Sequence, residues 1–161
     1  MNSQIKIVDN FLDRKDIQKI TSNDLAWKLQ TSNRGKGELT FLSSSKKGDE
    51  FYNTYLFDKV VEKLEEGYYR LENVYFNGQW NGREGSLHSD NCDITALIYM
   101  SQYEYGWGGF TEIMTEPEPT LVYPIPNRLV IFPGNILHKG YSFAYQYCPI
   151  RTTLAFKINQ K

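Results

Sequence analysis

Arg151-Thr152-Thr153-Leu154-Ala155-Phe156-Lys157-Ile158 alternates along its length between apolar and mostly polar residues. Side chains at i and i+2 of a strand leave from the same face. Leu154, Phe156 and Ile158 therefore share one side, and Arg151, Thr153, Ala155 and Lys157 share the other. One face is greasy; the other carries two cations and a hydroxyl. Left half-exposed, such a strand puts its polar face in water. If its apolar face packs on helices, the cations point into an internal cavity, where an arginine fork can grip a carboxylate through two hydrogen bonds.

Outward from this strand the C-terminal half keeps the same character. From Tyr68 no helical period persists, and short β-like runs such as Ile94 to Ser101 and Arg128 to Phe132 are separated by turn clusters. Those clusters are read at Asn77-Gly78, Asn81-Gly82, Gly106 to Gly109 and Pro133-Gly134-Asn135. Glu116-Pro117-Glu118-Pro119 reads as a loop or an edge, because proline cannot donate to a sheet ladder.

The first 68 residues differ. Ile5 to Val8 reads as a short strand, followed by Asp13 as a helix N-cap with acidic Asp16 three residues on and Ile17 and Ile20 on the apolar face. Leu25, Trp27 and Leu29, then Leu39, Phe41 and Leu42, flank Asn33-Arg34-Gly35-Lys36-Gly37 as a hairpin. A second helix is expected from Gly48-Asp49, with Phe57, Val60, Val61 and Leu64 on its buried face and Gly67 as its stop. Helices first and many strands afterwards indicate an α+β protein, mainly β, with helices on one face of an antiparallel sheet system. With 161 residues the chain is read as one domain, 1–161, in which 1–68 support a core at 69–161.

Composition removes several function classes. The formal net charge is −1, without the Lys/Arg excess of a protein that neutralises many phosphates, so nucleic acid is not the expected partner. Cys92 and Cys148 belong to no CxxC pair and are expected to be reduced thiols. No apolar run approaches membrane-spanning length and Met1 to Lys6 lacks a signal-peptide core, so a soluble, cytoplasmic protein without a membrane partner is expected.

The chemistry centres on Ser86-Leu87-His88-Ser89-Asp90. In an extended segment His88 and Asp90 face the same way, and His138, the other of the chain's two histidines, follows a strand and a Pro-Gly-Asn turn. A histidine near an aspartate is ordinarily structural. Two imidazoles and one carboxylate on one side of a metal, however, form the facial triad of non-haem Fe(II) oxygenases, whereas closed zinc sites favour four protein ligands and thiolates.

His88-Ser89-Asp90, His138 and Arg151 together resemble the HxD…H…(R/K) signature of Fe(II)/2-oxoglutarate-dependent dioxygenases, specifically the prolyl-4-hydroxylase-like branch. Ile94 to Ser101 is similar to that branch's TxLIYLN strand, Trp107-Gly108-Gly109-Phe110-Thr111 to its GGxT turn, and Val8 to Leu12 to its N-terminal helix entry. The similarity is closest over residues 70 to 158. It implies a double-stranded β-helix, or jelly-roll, core with supporting N-terminal helices. It also implies His88, Asp90 and His138 as Fe(II) ligands and catalytic centre, 2-oxoglutarate held by Arg151 with Tyr99 and Thr153, and ascorbate as an accompanying reductant. Lys157 has two readings, an approach to the cosubstrate carboxylate or a side chain reaching solvent. Gln79, Trp80 and Arg83 are expected at the substrate rim, with Trp107 and Tyr105 opposite. The resemblance implies C–H hydroxylation, with prolyl residues of a peptide or protein as substrate and release of succinate and CO2. Oxidation of a nucleobase or small metabolite, and a jelly-roll binding module without turnover, are the alternatives.

Overall fold

The computed structural model describes residues 5–31, 40–145 and 149–161. The expected turn at 33–37, Leu39, Cys148 and Met1 to Gln4 lie outside the described residues. In chain order the elements are β1 (Lys6–Val8), α1 (Arg14–Thr21), β2 (Lys28–Thr31), β3 (Thr40–Ser45), α2, β4 (Tyr69–Gln79), β5 (Ile94–Tyr99), β6 (Thr111–Ile113), β7 (Thr120–Val122), β8 (Leu129–Pro133), β9 (His138–Gly140) and β10 (Arg151–Gln160). Helix α2 is π-wound over Phe51–Leu56 and α-wound over Phe57–Val61. The strands form a seven-stranded sheet in the order β1-β8-β5-β10-β4-β3-β2 and a three-stranded sheet β7-β6-β9. Every pairing is antiparallel. The result is a mainly β jelly-roll. Although β1, β2 and β3 lie within the first 68 residues, they complete the larger sheet.

The alternation in β10 is realised. Leu154, Phe156 and Ile158 are fully buried with Val74, Phe76, Ala96, Ile98 and Leu129, on the face covered by Leu12, Ile20, Tyr52, Leu56 and Val60. At about 1.5–3 kcal/mol for each large apolar side chain removed from water, this layer fixes the helices to the sheet. Ala155 faces the other way, into a second core with Leu97, Tyr99, Val130 and Phe132 of the large sheet and Ile113 and Val122 of the small one. β10 lies between β5 and β4, so its interior face can meet residues from both neighbours.

Helix α1 begins as expected, with the Asp13 carboxylate accepting the Asp16 N–H at 3.0 Å. Asp16 is buried and pairs with Lys59 of α2, which also reaches Asp13 at 3.2 Å. Helix α2 differs from its expected form. It ends at Val61, before Leu64, and its fully buried stripe is Tyr52, Leu56 and Val60, with Phe57, Val61 and Leu64 only half-buried. The π-wound opening rotates the side chains relative to a 3.6-residue period and brings the Tyr52 ring edge-on to Phe76, 5.7 Å between centroids.

Asn77-Gly78 is not a turn but lies inside β4. A Cβ on Gly78 would come within 3.1 Å of both Ile150 Cγ2 and Trp27 Cη2, so the glycine permits close packing over the strand. Gly109 is required for both reasons that favour glycine: its φ is +73° and a Cβ would lie 2.5 Å from Phe143 Cδ1. Gly109→Ala is expected to cost about 2–4 kcal/mol in urea unfolding, from backbone strain together with overpacking. Gly106→Ala, at φ +95° with open space around it, is expected to cost only the strain, about 1–2 kcal/mol.

Candidate active site

Ser86 to Asp90 is not a continuous strand. A single antiparallel bridge holds it, with the His88 N–H donating to His138 O at 3.0 Å and the His138 N–H to His88 O at 2.8 Å. This pair of bonds sets the two imidazoles side by side, with ring centroids 4.5 Å apart. Downstream, the Asp90 N–H donates to Gly134 O at 2.7 Å. A Cβ on Gly134 would fall 2.3 Å from Cys92 O, so the glycine of the Pro-Gly-Asn turn lets the Asp90 loop approach.

The ligand atoms of His88, Asp90 and His138 all lie within 4.8 Å of one another. His138 Nε2 is 3.3 Å from Asp90 Oδ2, and His88 Nε2 is 3.7 Å from Asp90 Oδ1. Each imidazole places Nδ1 2.8 Å from a backbone carbonyl two residues upstream, Ser86 O and Ile136 O. Donation there fixes the tautomer that leaves Nε2 with its lone pair toward Asp90, the second contact that metal-binding histidines need. Burial, aided by the neighbouring imidazole, lowers the His88 pKa and favours its neutral, ligating form. Burial alone would raise the Asp90 carboxyl. The Lys157 ammonium and the Thr95 hydroxyl outweigh it and hold the group well below the usual carboxylate range. Thr95 Oγ1 donates to Oδ2 at 2.6 Å and Lys157 binds the same oxygen, which leaves Oδ1 the less engaged of the two. A carboxylate oxygen and two imidazole nitrogens are the donor set that suits Fe(II).

The triad lines a cavity of about 260 Å3 whose walls include Phe41, Tyr75, Asn77, Gln79, Leu97, Thr111, Arg151 and Thr153. Arg151 is 3% exposed. Its Nε donates to Gly109 O at 2.5 Å, Nη1 to Gln79 Oε1 at 2.6 Å and Nη2 to Thr111 Oγ1 at 2.9 Å. The Tyr99 ring lies 5.4 Å from its guanidinium carbon. Every one of these partners is neutral. Burial pulls the Arg151 pKa down, and no carboxylate opposes it; the group nonetheless stays charged. Three of its five N–H groups are used here, leaving donors for a ligand in the cavity.

The remaining sequence-predicted residues are placed differently from one another. Thr153 lines the cavity. Tyr99 is fully buried and does not line it; its hydroxyl donates to Thr111 Oγ1 at 2.6 Å, so it acts on Arg151 through Thr111. Lys157 does not reach solvent: its side chain is 12% exposed and rests against Asp90. Gln79 is inside and not at the rim, 6% exposed, bridging Arg151 and Gly140 O, the latter at 3.0 Å. Trp80 and Arg83 are half-buried outside the cavity, with the guanidinium 5.8 Å from the indole. Trp107 packs edge-on against Phe143 at 5.5 Å. Tyr105 is exposed.

Sequence reasoning missed Thr95, Tyr75, Asn77, Thr111 and Gly140. Gly140 lies against the Arg151 guanidinium, where a Cβ would sit 3.1 Å from Gln79 Oε1 and 3.3 Å from Arg151 Nη1. The alternation of Tyr75, Asn77 and Gln79 in β4 was the available signal, hidden by reading Asn77-Gly78 as a turn.

No family model matches the chain, and no curated protein matches it. Solved structures do match in fold. A Pseudomonas putida prolyl-4-hydroxylase superposes with a TM-score of 0.69 at 12% identity, covering 96% of this chain and 93% of that one. A prolyl hydroxylase from Trichoplax adhaerens, in complex with a peptide fragment of the hypoxia inducible factor oxygen degradation domain, gives 0.65 at 17% identity, covering 99% and 84%. HygX from Streptomyces hygroscopicus, with nickel, 2-oxoglutarate and hygromycin B bound, gives 0.70 at 9% identity, covering 96% and 82%. The chain has the fold of these oxygenases, prolyl-4-hydroxylases among them.

Proposed function

We propose that this protein is an Fe(II)- and 2-oxoglutarate-dependent dioxygenase that hydroxylates a C–H bond, with prolyl residues of a peptide or protein as substrate. The observation that carries the reading is Arg151, a buried guanidinium with only neutral partners, in the same cavity as the His88–Asp90–His138 cluster. A charge taken out of water without an opposite charge is costly. A dianionic cosubstrate meets that need.

In this reading His88 Nε2, Asp90 and His138 Nε2 hold the metal. When bound, iron with 2-oxoglutarate and dioxygen supplies the oxidising power for the hydroxylation, with release of succinate and CO2, and ascorbate is the reductant. The chain's own residues bind and orient. Arg151 takes the distal carboxylate of the cosubstrate, Thr153 adds a hydroxyl, and Gln79 and Thr111 hold the guanidinium plane in place. Thr95 and Lys157 bind Asp90 Oδ2 and hold the carboxylate in place. Leu97 and Phe41 give the cavity apolar wall that limits water.

A peptide substrate is supported by the resemblance of the sequence motifs and by the peptide-bound neighbour. A small-metabolite substrate is favoured by one observation, the cavity of about 260 Å3, below the usual range for ligand pockets. Among the described residues no helix is long and apolar enough to cross a membrane.

Anaerobic addition of Fe(II) and then 2-oxoglutarate is expected to produce the weak visible charge-transfer band of the chelate. Folded protein that gives no band, or that releases no succinate in air, would exclude the dioxygenase and leave the binding module. A turnover screen of proline-containing peptides against small metabolites and methylated oligonucleotides, reading succinate and mass shift together, separates the substrates.

A further inference from the structure

We infer that Asn77 receives the backbone N–H of the residue that follows the reacting proline in an extended peptide substrate, a reading that rests on the dioxygenase assignment and names a specificity-determining residue within it. Asn77 lines the cavity, and its Oδ1 is buried without a hydrogen-bond partner. Its cross-strand neighbours Ser43 and Thr153 both carry hydroxyls, and neither satisfies it. A buried acceptor left open is costly, so such an atom in a cavity wall marks a place for a ligand's donor.

Strand register shows from which side that donor comes. Lys28, Ser43, Asn77, Thr153 and Tyr99 stand opposite one another across β2, β3, β4, β10 and β5, so their side chains share one face of the large sheet. Exposure falls along the row: Lys28 is exposed, Ser43 and Asn77 are half-buried, and Thr153 and Tyr99 are buried. The small sheet reaches as far as β4, where Gln79 Nε2 donates to Gly140 O at 3.0 Å, and β3 and β2 carry the same face past it. The cavity therefore opens over β3, whose Phe41 forms part of its wall. With 2-oxoglutarate at Arg151 and Thr153 of β10, Asn77 is one strand nearer the opening.

The chemistry of the two occupants separates them. 2-Oxoglutarate carries two carboxylates and a ketone, all acceptors, and cannot supply a hydrogen to Oδ1. The donor is on the substrate. A prolyl nitrogen inside a peptide is acylated and has no hydrogen, so the nearest donor is the N–H of the next residue. With the proline ring in the cavity and this N–H on Asn77, the following residues lie over Ser43 toward Lys28, outside the enclosed volume of about 260 Å3. From Asn77 to Lys28 is two strand spacings, about 10 Å, or roughly three residues of extended chain.

The test uses the full chain loaded with Mn(II) and 2-oxoglutarate, and two probes of one shape. These are N-acetyl-L-proline methylamide and N-acetyl-L-proline methyl ester, which has an oxygen where the amide has its N–H. Broadening of the acetyl methyl proton signal by the paramagnetic metal reads binding near the site. The amide is expected to bind roughly three- to tenfold more tightly than the ester. The preference should fall away in Asn77→Ala and persist in Asn77→Asp, which keeps an acceptor. Equal binding of the two probes, or binding of neither to protein that holds 2-oxoglutarate, overturns the inference and leaves the dioxygenase reading standing. A preference that survives Asn77→Ala overturns it as well, since another acceptor then takes the N–H. Thermal unfolding of ligand-free Asn77→Ala separates recognition from structure: with no partner of Oδ1 to lose, the variant is expected to melt within about 4 °C of wild type. A variant that does not fold, or melts far lower, gives Asn77 a structural role and overturns the inference. Failure of 2-oxoglutarate itself to bind removes the parent reading and this inference with it.

Discussion

Arg151→Ala is expected to weaken 2-oxoglutarate binding to the metal-loaded protein by roughly 30-fold to several thousand-fold, the loss of a desolvated charge pair worth about 2–5 kcal/mol. Its effect on the ligand-free protein should be much smaller than its burial suggests. The substitution leaves Gly109 O and Gln79 Oε1 without a donor, each costing on the order of 1 kcal/mol, while Thr111 Oγ1 keeps the Tyr99 hydroxyl; it also removes a buried cation that has no anionic partner. These contributions oppose one another. Titration calorimetry with 2-oxoglutarate and thermal unfolding of the apoprotein, done on the same variant, separate them. A structural arginine would give the reverse pattern, with stability collapsing and cosubstrate affinity intact, and that result would end its assignment as the carboxylate clamp. Arg151→Lys is expected to recover only part of the affinity, because one ammonium cannot reproduce a fork already oriented by three partners.

Asp90→Ala should abolish metal binding and, separately, destabilise the apoprotein by about 3–5 kcal/mol, because it strands the Lys157 ammonium in the interior. The double variant Asp90→Ala/Lys157→Met should regain most of that stability without regaining the metal. His138→Ala should also lose the metal, with a smaller cost to the apoprotein, since no buried charge is left unpaired. Equilibrium dialysis with Mn(II) and urea unfolding give both readouts. Additive effects of Asp90→Ala and Lys157→Met on stability would show that the two side chains are not coupled, against the contact between them.

Much of the site is written locally. His88 and Asp90 are two residues apart, and a single bridge to His138 is enough to bring the three ligands together. The two faces of β10 follow from alternation alone. The N-cap at Asp13 is likewise a contact within four residues, which is why it could be read from the chain. Helix α2 departs in phase from its expected stripe because a π-wound turn breaks the 3.6-residue period. Asn77-Gly78 is a dipeptide that serves a turn or a close approach alike, and only Ile150, Trp27 and Leu42 packed over Gly78 distinguish them.

Residue order and period suffice for a strand with a cationic inner face and for a His-x-Asp pair with a distant histidine. Which groups meet across strands follows from the three-dimensional packing. Register sets Arg151 opposite Gln79 and Thr153 opposite both Asn77 and Tyr99, and the approach of the two sheets brings Thr111 and Gly140 to the guanidinium. Lys157 shows the division most clearly: alternation put it on the inner face, but its partner, Asp90, lies 67 residues away and was fixed by strand pairing and loop packing, which no local pattern encodes.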